Sequence, residues 1–240
     1  MAKPTPKHSH AHEHGHHHDD HHGHDVHELG FWRKYVFSID HKVIGIQYGV
    51  TALLFLFFGF SLMMFMRWQL AYPGRELAIG AWLFPKGMPG GVMLPEFYNS
   101  LGAMHGTIMV FLGVVPLLVG AFGNYVMPLQ IGAPDMAFPK LNMMSYWVFL
   151  LGGIIMLSSF FVPGGAANSG WTSYAPLSVL ATTGQTFWLL GMVCLITSSL
   201  LGSVNFIVTI IQLRAKGLTM YRLPFFVWTQ FVTAFLLLLA

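Results

Sequence analysis

The chain has 240 residues, of which 55% are hydrophobic and only 9% charged, with a formal net charge of +3. A soluble domain carries about 25% charged residues, so this composition excludes one and indicates a chain that crosses a bilayer several times. The net charge says little, because its placement matters more than its sum; no nucleic-acid partner is expected, and the single cysteine, Cys194, excludes an intrachain disulfide and makes no metal site alone.

Residues 1–30 form a polar, low-complexity tail. Eleven of the thirteen histidines fall between His8 and His27, interleaved with Asp, Glu and Gly. The tail lacks the apolar run of a signal peptide and is too polar to bury a core, so it is expected to be disordered. Residues 31–240 hold the membrane part. No charge occurs between Lys42 and Arg67. At about 1.5 Å per residue this stretch crosses a hydrocarbon layer about 30 Å thick. A loop rich in Pro, Gly and charge runs from Arg67 to Glu96. The second span is predicted over Leu101–Met127, and a short loop, Pro128 to Lys140, carries Asp135. From Leu141 to Leu213 there is no charge, and breaks from Pro163-Gly164-Gly165 to Pro176 divide that run into a third span (Ser145–Phe161) and a fourth (Thr186–Leu213). A basic loop with Arg214, Lys216 and Arg222 follows. A fifth span starts near Pro224 and is still running at Ala240, so the sequence is expected to be a piece of a longer chain. The fold class is all-α, a polytopic transmembrane helix bundle.

Alternation places Arg33, Lys34, Lys42, Lys140, Arg214, Lys216 and Arg222 on one side. The positive-inside rule makes that side cytoplasmic, together with the N-terminus. His105 then lies near the outer end of the second span and Asp135 at the inner face.

His105 is the one histidine inside a predicted span. An ionisable group in a bilayer is costly and marks function by default, and imidazole is a common ligand of haem iron. Gly102 and Gly106 flank it, and Gly113 and Gly120 follow at seven-residue intervals. A flat macrocycle against a helix needs such missing side chains; close helix packing needs them too. Asp135 is the only acid after Glu96. Around and beyond it stand Asn124, Asn142 and Ser145, then Tyr48, Ser198, Ser199 and Asn205. A carboxylate at a cytoplasmic mouth ahead of amides and hydroxyls that hold waters suits proton uptake. The same polar residues would also serve as hydrogen bonds between helices.

Four segments carry a resemblance: Ser38-Ile39-Asp40-His41-Lys42-Val43-Ile44-Gly45, His105-Gly106, the run from Gly123-Asn124-Tyr125 through Gly132-Ala133-Pro134-Asp135 to Pro139, and Gly170-Trp171-Thr172-Ser173-Tyr174. Together they resemble subunit I of the haem-copper respiratory oxidases, from about Phe31 to Ala240. The resemblance implies the first five helices of a twelve-helix subunit. It implies that His105 is an axial ligand of a low-spin haem, expected to be haem a. Arg67 resembles the arginine that bonds the haem formyl group, and Trp171 the tryptophan near the propionates. Tyr48, Asn124, Asp135, Asn142, Ser145, Ser198, Ser199 and Asn205 fall on the family's proton-uptake pathway, with Asp135 at its entrance. The high-spin haem ligand, the copper-ligating histidines, the cross-linked tyrosine and the second low-spin ligand are expected beyond residue 240. No residue of the oxygen-reducing centre is therefore expected here, and this piece alone would not reduce O2.

The resemblance also implies subunits II and III, cytochrome c and O2 as partners, proton pumping, and a bacterial plasma membrane location. Quinol oxidases of the same superfamily carry an Arg, an Asp and a His where this chain has Phe58, Leu62 and Phe97, which favours cytochrome c as donor. Ala175, where the family usually has a second proline, and the histidine-rich tail depart from the pattern. The tail suits either a solvated segment or weak capture of copper, zinc or nickel. A quinol oxidase and a haem-free proton-coupled transporter are the alternative readings.

Overall fold

Asp40 opens the first long helix by accepting the Lys42 backbone N–H at 2.7 Å on its carboxylate, an N-cap that satisfies a donor otherwise left free. The structure, a computed structural model, describes residues 30–239. The histidine-rich segment, its expected disorder and its metal capture lie outside the described residues.

Every regular element among the described residues is helical. Helix α1 is His41–Ala71, followed by a short helix α2, Ala78–Leu83. Helix α3 runs continuously over Pro95–Ile131, α4 over Pro139–Phe161 and α5 over Thr183–Gln212. These four long helices (α1, α3, α4 and α5) have the length and composition to cross a membrane. Helix α6, Phe225–Leu239, is apolar and is described over 15 residues, fewer than the roughly 20 that a full crossing takes.

Helices α1, α3 and α4 extend past the charge-free runs for local reasons. Prolines at the first positions of α3 and α4, Pro95 and Pro139, lack the N–H that a helix start leaves unpaired. Gly132, with φ +70°, ends α3 in the left-handed conformation. Within α3 the turns widen to an i→i+5 pattern over Ile108–Val114 and Pro116–Gly123, around Pro116, whose missing N–H interrupts the ordinary ladder.

Small residues bring the helices together. A Cβ on Gly152 of α4 would stand 2.8 Å from Cβ of Cys194 and 2.9 Å from the Gly191 carbonyl of α5. That backbone-to-backbone approach is the closest packing mode of membrane helices. Helix α1 lies along α3, where a Cβ on Gly45 would come within 3.0 Å of the Ala121 carbonyl. One buried cluster joins α1, α3, α4 and α5, from Ile44 and Tyr48 to Leu101, Phe149 and Trp188. A second joins the ends of α3 and α5 to α6 through Met127, Phe206, Ile210 and Val227.

Candidate functional site

His105 sits on α3, half-buried, with Nδ1 2.8 Å from the carbonyl oxygen of Gly59 on α1. A carbonyl only accepts, so Nδ1 carries a proton, and in the neutral ring Nε2 presents its lone pair. Metal-bound histidines are held in this way, one ring nitrogen tied to a backbone carbonyl and the other free to coordinate. Among the described residues no group of three or more His, Cys, Asp or Glu side chains converges. Among the described residues His105 would therefore offer a metal a single protein donor, the arrangement of an axial haem ligand.

The glycines around it divide into two kinds. A Cβ on Gly106 would meet nothing within 4 Å, and one on Gly102 would meet only the flexible Met66 side chain, at 3.3 Å. Gly113 and Gly120 differ: a Cβ there would collide with Leu56 and with the Tyr48 ring of α1. The first pair leaves open space beside His105, and the second lets two helices close. Helix packing thus accounts for Gly113 and Gly120 and not for Gly106.

Arg67 lies on α1, exposed, eight residues past Gly59, about 12 Å along the axis. Trp171 is in the loop between α4 and α5, 59% exposed, with its ring centroid 6.0 Å from that of Phe111. Phe111 is on the same helix as His105, so the loop carries Trp171 onto α3.

The polar residues form two groups. Tyr48, Asn124, Ser145, Ser198 and Ser199 line one cavity of about 310 Å³ between α1, α3, α4 and α5. Ser145 Oγ donates to the Asn142 carbonyl at 2.7 Å, and Ser198 Oγ donates to the Ser145 carbonyl at 2.7 Å. Each serine has then used its only proton. The Tyr48 hydroxyl, 3.1 Å from Ser145 Oγ and 3.2 Å from Ser198 Oγ, then has its single proton to share between two acceptors and donates to one of them at a time. Asn124 is 3% exposed and donates Nδ2 to the Gly120 carbonyl at 2.6 Å; its Oδ1 has no protein partner among the described residues. Asn142 is 0% exposed and neither of its amide atoms has one.

Asp135, Asn142 and Asn205 do not line the cavity, and Asp135 and Asn205 meet at the loop between α3 and α4. Asp135 is half-buried, and its Oδ1 accepts the Met136 N–H at 2.7 Å. Asn205 of α5 grips the loop that follows: Oδ1 accepts the Phe138 N–H at 2.9 Å and Nδ2 donates to the Phe138 carbonyl at 3.2 Å. With both amide atoms occupied, Asn205 acts on the loop backbone. Thr209, one turn later, accepts the Ala137 N–H at 2.9 Å.

Three further residues escaped the sequence reading. His41 begins α1 and so joins His105 inside the long helices. It is 2% exposed and donates Nδ1–H to the Asn124 carbonyl at 2.8 Å. Thr209 and Gln185 hold loops through side-chain bonds. Only His41 gave a signal, through its place beside the Asp40 cap. Phe58, Leu62 and Phe97 lie in apolar surroundings: Leu62 and Phe97 are buried, and Phe58 packs edge-on against Phe160, with centroids 5.9 Å apart.

The chain matches the profile of the family described as "Cytochrome C and Quinol oxidase polypeptide I" over residues 43–240. The chain belongs to this family. It is 44% identical over 211 residues to "Cytochrome c oxidase subunit 1" of Synechocystis, which takes in 87% of this chain and 35% of that one. The same protein of Thermostichus vulcanus gives the same identity and coverage. "Probable cytochrome c oxidase subunit 1-alpha" of Streptomyces avermitilis is 43% identical over 210 residues, 86% of this chain and 34% of that one. The chain thus spans about a third of the length of the curated relatives it matches. The family relation supports a membrane-embedded haem-copper oxidase subunit I, and the four membrane-length helices agree with it.

Proposed function

We propose that this chain supplies the low-spin haem ligand and the proton-uptake route of a cytochrome c oxidase that reduces O2 to water. The carrying observation is the His105 ring, whose Nδ1–H bond to Gly59 leaves Nε2 as a ligand beside open space at Gly106. The residues present fit haem. His105 would hold the iron, Arg67 a polar ring substituent, and Trp171 would stand near the propionates. When bound, the haem supplies one-electron transfer toward the haem-copper centre.

The rest is done by side chains of this chain. Asp135 collects a proton at the cytoplasmic face, where its carboxylate stands on the loop between α3 and α4. Asn205 and Thr209 fix its loop by binding the backbone of Phe138 and Ala137. Both amide atoms of Asn142 and the Oδ1 of Asn124 lack protein partners among the described residues and bind water, the usual way such groups are satisfied in a protein interior. Tyr48, Ser145 and Ser198 continue the polar line up the cavity wall. The relatives' names support an oxidase complex with further subunits; in this reading those are subunits II and III, and the membrane is a bacterial plasma membrane.

Phe58, Leu62 and Phe97 offer no hydrogen-bonding group to a quinol, so cytochrome c is the donor. Oxygen uptake by the whole purified oxidase, with reduced cytochrome c or with ubiquinol, tests this. Turnover with cytochrome c alone is expected; rapid ubiquinol oxidation would contradict it.

A further inference from the structure

The loop that carries Trp171 is bent by two left-handed residues, Gly170 (φ +72°) and Ser173 (φ +50°). Glycine takes this conformation freely; serine does so only where its neighbours hold it. One side chain does the holding. Gln185, 5% exposed in the first turn of α5, donates Nε2–H to Ser173 Oγ at 2.9 Å, and its Oε1 accepts from Ser169 Oγ at 2.8 Å. Both amide groups are thus used, one at each end of the turn, with Trp171 between. Gly184, just before it, has no room for a Cβ against the backbone of Gly165 and Ala166, so the loop lies directly on the start of α5.

The same turns of α5 are tied to α3. Trp188 Nε1 lies 3.4 Å from Thr107 Oγ1, two residues from His105. The opposite side of the assembly closes where Trp171 meets Phe111. Helix α3, the start of α5 and the Trp171 turn therefore form one closed frame, and the Gln185 amide is its joint.

We propose that Gln185 is a positioning residue that sets how Trp171 faces the His105 side of α3. This rests on the reading above, in which Trp171 stands beside the haem. A residue that merely staples a loop would affect stability alone; one that acts through Trp171 also alters what Trp171 does.

The test uses the whole oxidase with Gln185→Leu, Gln185→Glu, Trp171→Phe and the double variant Gln185→Leu/Trp171→Phe. Backbone hydrogen exchange over 169–174 reads the joint, and the midpoint potential of the low-spin haem reads its consequence. Gln185→Leu should speed exchange in the turn at least tenfold. It should also shift the potential in the same direction as Trp171→Phe, and the double variant should match Trp171→Phe alone. Gln185→Glu keeps the acceptor for Ser169 and replaces the amide donor with an oxygen to which the Ser173 hydroxyl can itself donate, so it should show smaller changes of the same sign; it carries the test if the leucine variant does not assemble. Unchanged exchange would overturn the joint. Faster exchange with an unmoved potential, while Trp171→Phe moves it, would overturn the positioning role alone, as would additive shifts in the double variant. An unmoved potential in Trp171→Phe itself would remove the haem-facing reading of Trp171 and the proposal with it.

Discussion

The Nδ1–H of His105 on α3 points at the carbonyl oxygen of Gly59 on α1, 2.8 Å away. The bond joins two helices and fixes a tautomer at once. A ring pinned through Nδ1 holds Nε2 in a set direction, and in the neutral ring Nε2 carries the lone pair with which imidazole coordinates iron.

The glycines near that ring separate ligand space from helix packing. Gly106→Leu adds a side chain where no atom lies within 4 Å of Cβ, so the helix bundle should keep its thermal stability within about 0.5 kcal/mol. Low-spin haem content should fall at least tenfold. Gly113→Leu drives into Leu56 and should destabilise the bundle by about 1–3 kcal/mol, the usual range for overpacking. Haem quantitation and thermal unfolding on both variants measure this. Full haem content in Gly106→Leu would place that glycine away from the cofactor.

Tyr48→Phe tests the direction of the hydroxyl chain. Ser145 and Ser198 keep their bonds to the Asn142 and Ser145 carbonyls, so no buried donor is orphaned. The stability loss should stay near 1 kcal/mol, the typical worth of one hydrogen bond. Proton uptake should nevertheless slow several-fold, because the Tyr48 hydroxyl links the two serines. Unfolding curves together with proton uptake in vesicles distinguish the outcomes. Lost stability with unaltered uptake would make Tyr48 a packing residue.

Asp135→Asn preserves the acceptor that bonds the Met136 N–H, so the loop and the helices should remain intact. The amide cannot collect protons. Turnover limited by proton supply should drop at least tenfold, and pumping should fall with it. The measurement is oxygen consumption and proton release by the whole oxidase in vesicles. Near-normal values for both would mean that protons enter elsewhere.

The bundle was legible in the sequence because charge avoids the bilayer interior, and charge-free runs mark its helices. Their ends were less legible. Helix caps at Asp40 and Pro95 lie among polar or loop-like residues, so α1 and α3 begin earlier than the apolar runs do. The site was legible by residue type and only partly by role. His105 and Asp135 are conspicuous as ionisable groups in an apolar chain. Asn205 shares the chemistry of Asn142, yet its amide grips Phe138 while that of Asn142 stays unpaired, a difference made by residues 67 positions away in the chain. Gln185 carried no signal at all, because its partners Ser169 and Ser173 reach it only once the loop is bent.

The most direct test is the reduced-minus-oxidised spectrum of the whole oxidase carrying His105→Ala. Loss of the imidazole should abolish the low-spin haem band while the helix content of the bundle is retained, since the ring contributes one interhelical bond and no large buried volume. A normal low-spin band in the His105→Ala enzyme would show that the iron is held by another residue and that the His105–Gly59 bond serves packing alone.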